Sequence, residues 1–136
     1  MTAKALLERI IKLRKAIAYR NTKIEALISQ TQNISAHMTG MPHNPSADPS
    51  PMATAICKKI DLEHEIEALQ AERESLIARI DLLENDVLSQ ILNLRYVQEE
   101  RWEEIATAMG YSEVHIFRLH RQAIALLDTI LKDDSK

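Results

Sequence analysis

Three observations predict an all-α protein. Glycine and proline are scarce, two and four in 136 residues, and aromatic residues make up only 4%. Leu, Ile, Ala, Glu and Lys recur throughout, which is the composition of helices. Two long stretches, about residues 2–29 and 53–84, contain no Gly or Pro and carry apolar residues at helical intervals. Between them, residues 31–52 hold all four prolines and Gly40 among Asn, Ser, Thr and His. Proline removes a backbone donor and blocks helix continuation, so this stretch reads as a loop.

In the first long stretch Leu6, Leu13 and Leu27 alternate with Ile10, Ile17 and Ile24, the seam of a coiled coil interrupted at Arg20. Its surface is basic: Lys4, Arg9, Lys12, Arg14, Lys15, Arg20 and Lys23 outnumber Glu8 and Glu25. A basic helix can lie along phosphates or a membrane surface, but the second stretch supplies a closer complement. There Leu62, Leu69, Leu76 and Leu83 form one apolar line, and Ile66, Ile80 and Val87 form another, broken at Arg73. Its surface is acidic, with Asp61, Glu63, Glu65, Glu67, Glu72, Glu74, Asp81 and Glu84 against Lys58, Lys59, Arg73 and Arg79.

Opposite charges beside two narrow seams select a long antiparallel hairpin over self-pairing of either helix. Each exposed ion pair adds on the order of 0.2–1 kcal/mol. The seam supplies more, about 1.5–3 kcal/mol per buried aliphatic side chain. Two helices alone leave each stripe half covered. The expected remedy is a second copy, giving a homodimer or higher homo-oligomer, or a docked partner. The alternative is a stalk that packs on the C-terminal part of the same chain.

After this hairpin (1–84), Asn85 and Asp86 suit a helix break and N-cap. A short helix follows through Val87, Ile91, Leu92 and Leu94 to Tyr96, then a polar connection, Gln98 to Arg101. From Trp102 to Gln122 the spacing is that of a helix-turn-helix. Ile105 and Met109 lie one turn apart, and Ala106 is small where two helices cross. Gly110 permits a sharp turn, Ser112 is a good N-cap, and Ile116 and Leu119 share a face. The plain alternative is a helical hairpin whose turn happens to contain Gly. With Ile116, Leu119 and Ala123 inward, the outward residues are Glu113, Val114, His115, Phe117, Arg118, Arg121 and Gln122. Arg and Gln pair with base edges or phosphates, and apolar side chains meet a thymine methyl. Phe117 either stands exposed or packs against another part of the chain. Ala123, Ile124, Leu127, Ile130 and Leu131 carry an apolar stripe nearly to the polar end.

The run from Leu92 to Leu127 resembles region 4 of sigma-70-type transcription factors. More closely, it is similar to small phage and prophage proteins of Gram-positive bacteria, among them late-operon transcriptional regulators. The matching parts are LRY (Leu94 to Tyr96), WEEIA (Trp102 to Ala106), the Gly110-Tyr111-Ser112 turn, and FRLHRQAI (Phe117 to Ile124). Glu100 and Arg101 stand where that family has Gly and then Ser or Thr. The helix starting at Trp102 therefore lacks a side-chain acceptor as N-cap, although Glu104 sits where a capping-box partner would be.

The resemblance implies a sigma-region-4-like helix-turn-helix domain over 85–132 and a sequence-specific DNA-binding transcriptional regulator. Double-stranded DNA is the expected partner. Glu113, Val114, His115, Phe117, Arg118 and Arg121 are expected to face bases, and Ser112, Gln122 and Arg101 to face phosphates. RNA polymerase is a further partner the resemblance implies, and it marks Trp102 as a scaffold residue. Two other readings remain: a phage DNA-packaging protein like a small terminase subunit, and a protein-only adaptor whose motif does not bind DNA.

Net charge is −3, so no global field draws the chain to nucleic acid, which counts against strong independent DNA binding, since phosphate neutralisation dominates affinity. Two readers held together offset this through avidity. There is no Gly-rich phosphate loop, nucleophile elbow or HExxH, so neither an enzyme nor a cofactor is expected. Cys57 is the only cysteine, which excludes an internal disulfide and fits the reducing cytoplasm of a bacterial host. His115 and His120 fall on different helix faces, and His37 and His43 lack ligand partners at metal spacing. No stretch approaches the length of a membrane span.

Overall fold

The computed structural model describes residues 1–37 and 50–134. Among them the chain is all-helical: α1 (Ala3–His37), α2 (Pro51–Ile80), α3 (Asp86–Leu92), α4 (Trp102–Met109) and α5 (Glu113–Asp134). A 3-10 turn at Asp81–Leu83 follows α2, and a π-helical turn at Asn93–Val97 follows α3. No helix among the described residues is long and apolar enough to cross a membrane.

Both long helices exceed the expected bounds toward the loop. α1 continues to His37 rather than ending near 29, because nothing before Gly40 opposes a helix. Thr31, a polar residue inside it, is satisfied by donating its hydroxyl to the Leu27 carbonyl at 2.8 Å. α2 begins at Pro51 rather than 53. Ser50 caps it, its hydroxyl accepting from the Ala53 N–H at 3.1 Å and its carbonyl from the Thr54 N–H at 3.0 Å. Proline at the first helical position forfeits nothing, since that N–H has no intrahelical acceptor. The rest of the expected loop, with Gly40, Pro42, His43, Pro45 and Pro49, lies outside the described residues.

The chain divides into two compact units: Met1–Arg14 with Ala71–Lys136, and Lys15–Gln70. This differs from a division at 84/85, since the first fourteen residues belong with the C-terminal helices. In the first unit, Thr2 caps α1, accepting from the Ala5 N–H at its hydroxyl and from the Leu6 N–H at its carbonyl. The Ala3 N–H donates to the Asp128 carboxylate of α5 at 2.6 Å, placing a negative charge at a helix N-terminus. Leu6, Leu7, Ile10 and Leu13 are at most 1% exposed. The same unit holds buried Leu76 and Ile80 of α2, Leu83 of the 3-10 turn, Leu88, Ile91 and Leu92 of α3, and Leu127 and Leu131 of α5.

Arg9 makes two hydrogen bonds to Glu72, at 3.0 and 3.2 Å, and Arg14 pairs with Glu99. Arg73, the break in the second seam, donates to the Val97 carbonyl at 3.3 Å. α2 tightens into its 3-10 turn after Ile80, and Glu84 takes a left-handed conformation (φ 54°). Asn85 then caps α3, its side-chain oxygen accepting from the Leu88 N–H at 3.2 Å, as its position before an apolar run predicts.

In the second unit the seam residues Ile17, Ile24, Leu27, Leu62 and Leu69 are half-buried, and Ala55 and Ile66 are buried. Arg20, which interrupts the first seam, turns its head outward to Glu65 at 3.0 Å and to the Ala16 carbonyl at 3.1 Å. Its stem thereby covers apolar surface while its charge stays paired.

Candidate nucleic-acid interface

Four residues build the support beneath α5. Ile91 of α3, Ile105 and Ala106 of α4, and Ile116 of α5 form one buried cluster. Val87, Leu94, Trp102, Met109 and Leu119 pack against it. The turn from α4 to α5 is fixed by backbone geometry. Gly110 takes φ 74°, and its N–H donates to the Thr107 carbonyl while the Tyr111 N–H donates to the Ala106 carbonyl. This pair of bonds is a Schellman C-cap, which needs a left-handed residue where glycine stands. Ser112 then caps α5: its hydroxyl accepts from the His115 N–H at 3.2 Å and its carbonyl from the Ile116 N–H at 3.0 Å. At the other end of α4, Arg101 is extended and offers no side-chain cap, as a residue without a side-chain acceptor must.

With Ile116, Ala123 and Leu127 wholly buried beneath α5, its opposite face is set by the helical repeat. Val114, Arg118 and Arg121 lie along the middle of that face, with Phe117 and Gln122 beside them, and all five are exposed. Neither Arg118, Arg121 nor Arg101 has an ion-pair or hydrogen-bond partner among the described residues. Glu113 and Ser112 are exposed at the start of the helix. Ser112 is committed as a cap through its oxygen, but its hydroxyl proton is free to donate.

Two of the expected base-facing residues have further roles. His115 is half-buried, with its ring edge-on to Tyr111 at 4.8 Å. Phe117 does both of the things left open by the sequence: it packs edge-on against Trp102 at 5.2 Å and remains 39% exposed.

Behind this surface lies a polar-aromatic cluster that sequence spacing did not reveal. His120 Nε2 stands 2.7 Å from the Tyr96 hydroxyl, its ring edge-on to Trp102 at 4.8 Å. Arg95 lies over the Trp102 ring at 4.6 Å and donates to the Glu100 carbonyl at 3.0 Å. Burial, aided by the neighbouring Arg95 charge, holds the His120 pKa below its ordinary value. Burial pushes the Tyr96 pKa up, and Glu8 adds to that while Arg95 opposes it. A neutral His120 with Nε2 as acceptor and a protonated Tyr96 as donor therefore form the favoured pair. The π-helical turn at Asn93–Val97 carries Arg95 and Tyr96 into this cluster, and Trp102 is the common wall. Cys57 is a free, exposed thiol.

The chain matches no family model, no curated protein and no solved structure. The functional reading therefore rests on the arrangement of α4 and α5 and on their chemistry.

Proposed function

We propose that the chain is a sequence-specific double-stranded-DNA-binding transcriptional regulator of phage or prophage type, with α4 and α5 acting as a helix-turn-helix and α5 lying in the major groove. One observation carries this reading: Arg118 and Arg121 share the outward face of α5 with no carboxylate paired to them among the described residues. Unpaired arginines on a rigidly supported helix are suited to guanine edges and phosphates. Arg101, Ser112 and Gln122 flank that face and are assigned to phosphates. RNA polymerase is proposed as a second partner, on the resemblance to sigma region 4.

α1 and α2 are proposed as an antiparallel hairpin that associates with a second copy. Ile56 and Ile60, one turn apart on α2, are each 44% exposed, and the seam of the second unit is only half covered. Mass determination in solution tests this part. A dimer that Ile56→Glu with Ile60→Glu dissociates supports it, and a monomer at micromolar concentration overturns it.

Fluorescence anisotropy with labelled duplexes from beside the gene tests the DNA reading. Arg118→Ala should weaken binding by about 1–3 kcal/mol if it reads a base. Arg121→Ala should do the same, whereas loss of a phosphate contact at Arg101 should instead lower the salt slope by about one unit. Binding unchanged by both substitutions means the reading face lies elsewhere.

A protein-only adaptor is the second reading. It is favoured by the net charge of −3 and by the acidic groove of Glu100, Glu103 and Glu104 beside Thr107 and Ala108. A flat DNA titration with retained partner binding would select it.

A further inference from the structure

Val114 is the most exposed large apolar side chain among the described residues, at 69%. It occupies the first turn of α5, where a β-branched residue is a poorer helix former than Ala or Glu. With 69% of its surface open, neither helix propensity nor packing explains it. Its neighbours on the same face are Phe117 and Arg118, three and four residues on. Phe117 is held by Trp102, so the surface beside Val114 is a fixed wall rather than a mobile side chain. Arg118 is exposed and has no acidic partner among the described residues.

A duplex complements this combination of an apolar knob beside an unpaired cation. In the major groove a thymine presents a methyl group, and a guanine presents two acceptors that match an arginine. Four helical residues advance about 6 Å along the axis, which is about two base-pair steps at 3.4 Å each. We infer that Val114 is a specificity-determining residue, seating on the C5-methyl of a thymine about two base pairs from a guanine read by Arg118. This rests on the DNA-binding reading above and adds the base that the helix start selects. The unpaired arginines on the same face select nucleic acid over an apolar protein partner, which would not neutralise them.

The test uses the full chain and a randomised duplex library, selected once with thymine and once with deoxyuridine, which lacks the methyl. Selection with thymine should enrich a site with a fixed T about two base pairs from a fixed G. Replacing that one T by deoxyuridine should weaken the dissociation constant about fourfold, the worth of one buried methyl-sized group. Val114→Ala should bind both duplexes equally. Arg118→Ala should keep the thymine preference and lose the guanine preference, which separates a base contact from general damage. Circular dichroism of both variants should match the parent, since neither side chain is buried. Enrichment of a site at which deoxyuridine binds as well as thymine overturns the assignment of Val114 but leaves the DNA-binding reading intact. A library from which nothing is enriched overturns both.

Discussion

Replacing Gly110 by alanine isolates the turn that aims α5. Gly110 sits at φ 74° and ψ 26°, where an L side chain crowds its own carbonyl at a cost of about 1–2 kcal/mol. A Cβ built there meets no other atom within 4 Å, so packing adds nothing to that strain. Alanine also restricts the unfolded chain, which offsets about 0.4–1 kcal/mol of the loss. The net expectation is a destabilisation of about 1 kcal/mol, with asparagine losing less because it tolerates the left-handed region. Trp102 is the only tryptophan and stands at the start of α4, so its fluorescence reports urea unfolding. With a slope of about 1–3 kcal/mol per molar urea, the midpoint should fall by about 0.3–1 M while the slope stays unchanged. An unchanged midpoint would refute the left-handed turn. A loss above about 3 kcal/mol would refute the open space around it.

Three further expectations follow from the buried contacts. Ile116→Ala should destabilise by about 2–5 kcal/mol in the same urea assay, because a fully buried side chain at the centre of the α4–α5 core leaves a cavity. Asp128→Ala removes the acceptor of the Ala3 N–H and the charge at the start of α1, and should cost about 1 kcal/mol. Stability should also depend on pH through His120 and Tyr96. The unfolded chain protonates its histidine at the ordinary value of 6.5, and the folded one only at lower pH. His120 thus leaves stability whole above 6.5 and erodes it as pH falls below that value. Tyr96 acts at the other end: the unfolded tyrosine ionises near 10.0 and the folded one later, so stability declines as pH rises above 10. Thermal melts across pH should show both flanks, and His120→Gln should flatten the acid one.

The readable parts of this chain are the local ones. Asn85, Gly110 and Ser112 act within three to five residues of themselves, so their identity in sequence was enough to place a cap or a turn. Ile105, Ala106, Ile116 and Ala123 were legible as an inward set because a helix repeats every 3.6 residues. The end of α1 was placed too early and the start of α2 too late: a breaker marks where a helix cannot continue, not where it stops. The Tyr96–His120 bond joins residues 24 apart, and Arg95 meets Trp102 around a π-helical turn. No periodicity encodes such pairs, because they depend on how separate helices come together. The burial of Leu6, Leu7, Ile10 and Leu13 with the C-terminal helices was invisible for the same reason, since a seam looks alike whatever covers it.

The bond from Ala3 to Asp128 joins positions 125 apart, and it bears on how the protein is made. Closing so large a loop is entropically unfavourable, and non-local closure slows folding relative to bundles held by neighbouring contacts. During translation the leucines of the first turns must wait for residues 71 onward to emerge from the ribosome before the rest of their compact unit exists. Throughout that interval the nascent chain displays an apolar stripe, a natural substrate for a chaperone and a hazard for aggregation. A ribosome that stalls before Asp128 releases a product that never completes that unit, and proteolysis is its expected fate.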